Sequence, residues 1–124
     1  MPVVQIEALP QPEAVNLPLA LREVRDAVAS GLECRSDQVW VTWRTLDAYL
    51  CHDETPDEQP RTTHDPILRI IASKGREPAQ IAGTLTGASI VLAGALGLEP
   101  GCVFAIYEEA EPGRVCTGGE VRGG

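Results

Sequence analysis

Proline follows the initiator methionine in this chain, and that position decides what its nitrogen can do. Aminopeptidase removal of Met1 is expected before a small residue, and it would leave Pro2 with a free secondary amine. An internal proline such as Pro66 has an amide nitrogen, which is not basic. An amine whose pKa lies near neutrality is suited to proton transfer at a carbon next to a carbonyl group. The second residue is therefore the first candidate for chemistry.

The cysteines and the N-terminal segment argue against a metal centre and against a secreted, disulfide-bonded protein. The four cysteines form neither a C-x-x-C pair nor a cluster with histidine. We therefore predict free thiols in a cytoplasmic protein, with no metal and no cofactor. The first residues carry no basic segment and no long apolar run, so a signal peptide is not expected.

Charge and length narrow the class of partner. The chain has 124 residues, which suits one domain, and a formal net charge of −8. This acidity argues against nucleic acid and favours a small molecule or a protein as the partner. An anionic substrate would need a local convergence of cations, and Lys74 is the single lysine beside nine arginines.

The sequence repeats itself at an offset of sixty-four positions, and the repeat defines two units. The following residues pair: Pro2 with Pro66, Ile6 with Ile70, Leu32 with Leu96, and Trp43 with Tyr107. One constant offset through several segments favours a true internal repeat. We predict a single domain, 1–124, made of units 1–50 and 65–120. The polar, acidic segment 51–64 is expected to link them.

Each unit reads as β-α-β. The first has strands at 3–9 and 38–46 around a helix at 17–32, and the second has strands at 67–73 and 102–109 around a helix at 77–96. Right-handed crossovers make the strands of each unit parallel. The predicted class is α/β, a two-layer sandwich in which a four-stranded mixed sheet carries both helices on one face. The other sheet face would be bare and apolar, which predicts oligomerisation.

The second helix has no charged residue between positions 78 and 98. That length approaches the roughly 20 apolar residues of a membrane span, and Gly83 and Gly87 have the small-residue spacing of membrane helix pairs. Polar residues such as Gln80 and Thr84 dilute the segment, and its repeat partner is an amphipathic helix. We therefore predict a tightly packed helix and no membrane partner.

Several short motifs occur in the order typical of one known family. They are Pro2-Val3-Val4-Gln5-Ile6, Leu21-Arg22-Glu23-Val24, Lys74-Gly75-Arg76-Glu77, Gly113-Arg114 and Gly118-Gly119-Glu120. On these residues the chain resembles the tautomerase superfamily, and its two units resemble two 4-oxalocrotonate tautomerase units joined in one chain. The resemblance implies a homotrimer whose bare sheet faces are turned inward.

The resemblance also implies roles for two residues. Pro2 would be the catalytic group and Arg76 would bind the carboxylate of a small substrate, since Arg76 falls at the family's carboxylate-binding position. A cation beside the amine disfavours its protonated form and so lowers the pKa of Pro2. Arginine can also hold a carboxylate through two parallel hydrogen bonds. The implied activity is isomerisation of a 2-oxo or enol carboxylic acid.

This sequence departs from the family pattern at the start of the closing strands. Trp40 and Phe104 occupy the positions where the family's tautomerases have a further arginine. Lys74 or Arg114 would then have to supply the second cation. Val115 stands where the family has a phenylalanine that helps desolvate the proline.

Two alternatives to isomerisation stay open. Malonate semialdehyde decarboxylases have an aspartate before the closing strand of the first unit, and Asp37 is the nearest match. That match implies decarboxylation, hydration or dehalogenation of a three-carbon acid, with protonated Pro2 as the acid. The missing arginine favours another class, a non-enzymatic interaction protein on the same fold.

Overall fold

A computed structural model describes residues 2–49 and 65–123. Its elements follow the predicted order: β1 (Val3–Ala8), α1 (Leu17–Leu32), β2 (Trp40–Thr45), β3 (Ile67–Ser73), α2 (Pro78–Ala95), β4 (Phe104–Ala110), β5 (Val115–Thr117) and β6 (Glu120–Arg122). A short 3-10 turn, Ser36–Gln38, precedes β2. The predicted linker 51–64 lies outside the described residues.

The first helix begins and ends where its sequence supplies capping groups. The side chain of Asn16 accepts a hydrogen bond of 3.0 Å from the backbone N–H of Leu19, which satisfies one of the free donors at the N-terminus. The helix stops at Glu33, whose φ of 55° is left-handed. Its apolar stripe, including Val24 and Val28, is buried against the sheet and the second helix.

The second helix packs closely on the first, and the close approach is made at Gly31 of α1. A Cβ atom added at Gly31 of α1 would lie 2.9 Å from the Cβ of Thr84 on α2. Gln80 on α2 donates a 3.1 Å hydrogen bond to the carbonyl of Gly31, and Thr84 donates one of 2.8 Å to the carbonyl of Gln80. The prediction of a tightly packed helix agrees with these contacts. Within the described ranges, no helix is long and apolar enough to cross a membrane.

The sheet has the order β2-β1-β3-β4, with both outer pairs parallel and the central β1–β3 pair antiparallel. The repeat is visible in its hydrogen bonds. The N–H of Trp40 donates to the carbonyl of Pro2 at 3.1 Å, and the N–H of Phe104 donates to the carbonyl of Pro66 at 2.9 Å. The predicted β-α-β-β-α-β arrangement in one mixed sheet is confirmed.

The face of the sheet that turns away from the helices is open and only partly apolar, so the prediction of an apolar face is correct only in part. Alternate residues of the strands place charged groups there. Arg44 lies 3.7 Å from Glu7, and Arg69 lies 3.1 Å from Glu108. The exposed apolar side chains on this face lie mainly near the first residues of the strands. Phe104, the first residue of β4, is 58% exposed. This surface combines paired charges with large apolar side chains.

A C-terminal hairpin, formed by β5 and β6, was not predicted. The strands pair in antiparallel register, and the two residues between them, Gly118 and Gly119, both have positive φ, at 63° and 82°. Positive φ at both central residues is the requirement of a tight type I′ hairpin turn, which glycine meets without strain. The carbonyl of Arg122 accepts a 2.7 Å hydrogen bond from the N–H of Gly113 at the base of the hairpin.

Candidate functional site

A cavity of about 560 Å³ lies at the end of the sheet where β1 begins and β3 ends. Its lining comes from three parts of the chain. These are the start of the first unit with the turn before β2 (Val3, Asp37, Gln38, Trp40), the end of β3 (Ile71, Ala72, Ser73, Lys74), and the segment from the end of β4 through the hairpin (Ala110, Glu111, Pro112, Val115, Thr117, Arg122). The antiparallel pairing of β1 with β3 brings the first two parts together.

Pro2 is buried beside this cavity, directly before Val3, and is not itself one of the described lining residues. Its carbonyl is held by the N–H of Trp40. Val3 pairs with Ile71, so continuing the antiparallel register places Pro2 opposite Ala72. Pro2 is thus fixed next to two lining residues. Val3 follows it in the chain, and Ala72, which is two positions before Lys74, lies opposite it.

The lining contains two cations and two acids. Lys74 Nζ lies 3.1 Å from Glu111 Oε1, which joins the end of β3 to the segment after β4. Asp37 Oδ1 accepts a 3.0 Å hydrogen bond from Arg35 Nε in the turn before β2. Both interactions are exposed to solvent, so each stabilises the fold only slightly. The described residues contain no group of three or more histidine, cysteine or acidic side chains arranged to hold a metal ion.

Arg76, the predicted carboxylate ligand, is half-buried next to the cavity wall. Its Nη1 donates a 3.2 Å hydrogen bond to the carbonyl of Ser73, which is a lining residue. Arg114 is exposed at the start of the hairpin. Neither arginine belongs to the lining formed by residues 2–49 and 65–123. Of the candidates from the sequence, the structure brings Lys74, Asp37 and Val115 to the cavity.

Arg122 is the lining cation that the sequence analysis missed. It lies on β6 and lines the cavity together with Val115 and Thr117 of β5. The Gly118-Gly119 dipeptide between two short runs of strand formers was the available signal, because it is typical of a hairpin turn. A hairpin would have brought residues after Gly119 back toward β5. Trp40 also lines the cavity, whereas Trp43 packs against the core.

Comparison of the sequence with protein-family models and with curated proteins finds no match. Solved structures do match. One is described as a wild-type fused 4-OT asymmetric trimer, 13% identical with a TM-score of 0.81, the alignment covering 96% of this chain and 94% of that one. A second is Pt0534 inactivated by 2-oxo-3-pentynoate, 18% identical with a TM-score of 0.83, covering 98% and 95%.

A third is a malonate semialdehyde decarboxylase inhibited by 3-bromopropiolate, 15% identical with a TM-score of 0.74, covering 94% of this chain and 88% of that one. These alignments span nearly the whole of each chain at low identity. The protein therefore shares the fold of the fused 4-OT structure and of the other two structures.

Proposed function

We propose that this protein, once Met1 is removed, is a cofactor-independent tautomerase of a small 2-oxo or enol carboxylic acid. The observation that supports this most is the position of Pro2. It is buried at the start of β1, beside a cavity of about 560 Å³ that holds two cationic side chains, Lys74 and Arg122. Its repeat counterpart, Pro66, is internal and cannot be an amine.

Burial disfavours a protonated Pro2, so we expect the pKa of its amine to lie below its ordinary value. The neutral amine takes a proton from one end of the enol or oxo acid and returns it to the other end. The cations of the lining neutralise the substrate carboxylate. Apolar lining side chains, including Trp40, Ile71 and Val115, contact its hydrocarbon part and exclude water.

Covalent labelling of the amine tests this proposal. Pt0534, which shares the fold, was inactivated by 2-oxo-3-pentynoate. The alkyne of that compound is electron-poor, so a neutral secondary amine should add to it, whereas an ammonium ion should not. We expect stoichiometric labelling of this protein near neutral pH, with the adduct mapped by peptide mass spectrometry to Pro2.

Two other nucleophiles, one thiol and one amine, give the mapping its controls. Cys116 on β5 is exposed, and Lys74 is in the lining. A Cys116→Ser variant removes the thiol without changing the cavity wall. Labelling of Cys116 or Lys74 with an unmodified Pro2 would count against the proposed role of the amine, as would labelling that persists in protein that keeps Met1.

A decarboxylase or hydratase is the second candidate function, and the position of Asp37 favours it. Asp37 lines the same cavity as Lys74, near the start of β2. In that chemistry a protonated Pro2 would act as the acid. An NMR titration of the Pro2 nitrogen separates the two functions. A pKa near or below neutrality supports the tautomerase, and a pKa well above neutrality supports the decarboxylase or hydratase.

We also propose that the protein forms a homotrimer through the open face of its sheet. Phe104 and Trp40 are 58% and 57% exposed on that face. A fused 4-OT with the same fold is described as a trimer. Val3, Trp40 and Ile71 belong both to this face and to the cavity lining, so association would bring a second subunit close to the site.

A further inference from the structure

The charges of the cavity lining differ in how closely they are paired. Asp37 is bound to Arg35 at 3.0 Å, and Lys74 is bound to Glu111 at 3.1 Å. Arg122 is paired with Glu120, but the distance from its Nη1 to Oε2 is 3.7 Å, beyond hydrogen-bond range. Both side chains of this last pair are mostly exposed, at 60% and 76%. Arg122 is thus the lining cation with the looser carboxylate partner.

The hairpin holds Arg122 at the cavity through its backbone. Its carbonyl accepts the 2.7 Å hydrogen bond from Gly113 at the base of the hairpin, and its Cα is in register with Val115. Val115 also lines the cavity. The backbone of Arg122 is therefore fixed while its guanidinium keeps donors for a ligand. A guanidinium presents several N–H donors in a plane that matches a carboxylate.

We propose that Arg122 is the principal carboxylate-binding residue of the site and that the C-terminal hairpin is its anion-recognition element. This inference rests on the proposed function, because that function makes the ligand a small carboxylate. Arg76, in contrast, is engaged with the carbonyl of Ser73 and lies outside the lining. Lys74 shares its charge with Glu111, so it is the weaker of the two lining cations for an added anion.

Ligand binding without turnover tests the proposal. Trp40 lines the cavity, and the other tryptophan, Trp43, packs against the core, so tryptophan emission reports occupancy. The probe is 3-phenylpropionate, and its neutral amide is the matched control ligand. We expect Arg122→Gln to raise the Kd for the carboxylate roughly tenfold or more, since a charge-assisted hydrogen bond is lost. The Kd for the amide should stay unchanged, and Arg122→Lys should recover part of the affinity.

Two further variants make the result specific. Arg22→Gln removes the same charge from the exposed surface of α1 and should leave the Kd for 3-phenylpropionate unchanged. Trp40→Phe should abolish the emission change, which assigns the signal to the cavity. Equal Kd values for wild type and Arg122→Gln would overturn the proposal, as would a wild type that does not bind 3-phenylpropionate. A larger loss in Arg76→Gln or Arg114→Gln than in Arg122→Gln would overturn it too.

The binding assay also separates this inference from the proposed function. Pro2→Ala removes the secondary amine but leaves Arg122 in place, so Arg122→Gln should raise the Kd for the carboxylate by the same factor in the Pro2→Ala protein as in wild type. A protein that binds 3-phenylpropionate through Arg122 but turns over no enol acid would contradict the tautomerase and leave the assignment of Arg122 standing.

Discussion

Pro2 and Pro66 show how the same residue type has different chemistry at two equivalent positions. Each carbonyl accepts the first ladder hydrogen bond of the strand beside it, from Trp40 and from Phe104. Their backbone roles are therefore alike. The difference is covalent, because removal of Met1 gives Pro2 a free nitrogen while Pro66 stays an amide. The site is asymmetric although the fold is nearly repeated.

Arg76 tests how far a residue's place in a motif predicts its contacts. The motif puts Arg76 at a carboxylate-binding position, whereas the structure shows its guanidinium donating to the Ser73 carbonyl, next to the lining. We expect Arg76→Gln to change the KM for an enol acid by less than about threefold, or about 0.65 kcal/mol, since the hydrogen bond that is lost does not involve the substrate.

Steady-state kinetics of Arg76→Gln beside Arg122→Gln checks this expectation, with Arg22→Gln as the matched surface control. A rise in KM for Arg76→Gln above that for Arg122→Gln would show that the motif, and not the described geometry, identifies the carboxylate ligand.

At the scale of elements, the two helices make the closest contact found at any described glycine. Gly31 of α1 faces Thr84 of α2 so closely that a Cβ would overlap it. The small residue at this contact belongs to α1, and the second helix meets it with Thr84. Its sequence alone was ambiguous, since small and apolar residues occur both in membrane helix pairs and in packed helices of globular domains.

We predict that Gly31→Ala destabilises the protein by about 1–3 kcal/mol, as overpacking of a close contact usually does. Gly83→Ala is the matched control, because a Cβ at Gly83 on α2 meets nothing within 4 Å. That variant should be neutral or slightly stabilising, since alanine is a better helix former. Urea unfolding of both variants measures the difference, and equal midpoints would contradict the described helix contact.

The hairpin is the second element with a separable role. Val115, Thr117 and Arg122 line the cavity, but none of them belongs to the described core cluster. We expect a chain ending at Gly113 to keep its helical circular dichroism and to lose binding of 3-phenylpropionate roughly tenfold or more, because Arg122 is removed. Unchanged binding by the truncated chain would show that the hairpin is not part of the site.

At the scale of the whole molecule, the open sheet face is the surface through which we propose that the protein associates. It combines exposed aromatic side chains with paired charges, a composition that suits an interface better than a uniformly apolar face would. The sequence analysis predicted an apolar surface for the sheet face that carries no helices, and it did not consider the charged residues of the strands. Strand alternation placed Glu7, Arg44 and Arg69 on that face, and this could have been predicted from the register of the strands.

We predict that Phe104→Glu shifts the protein toward the monomer, because it places a charge in the proposed interface. Ile90→Glu is the matched control, since Ile90 on α2 is similarly exposed, at 53% against 58%, but lies on the helix side of the molecule. Sedimentation velocity of both variants beside wild type gives the masses. A trimer that survives Phe104→Glu, or one that Ile90→Glu dissociates, would exclude this face as the interface.

Most of the fold could be predicted from the sequence, whereas the lining of the site could be predicted only in part. Hydrophobic period was enough for β1 and α1, because that signal is local. The repeat and the handedness of crossovers were enough for the parallel strand pairs. Lys74 and Asp37 reach the cavity from the ends of predicted elements. Arg122 does so through a hairpin whose two three-residue strands are too short to give a periodic signal.

The most direct test of the central claim is turnover by wild type and Pro2→Ala. Intact mass first establishes that Met1 has been removed, and phenylenolpyruvate and 2-hydroxymuconate then serve as substrates. We predict ketonisation by the wild type well above the spontaneous rate. Pro2→Ala should lower kcat roughly a hundredfold or more, as expected for loss of a general acid–base group. Equal, background-level turnover by both proteins would contradict the account.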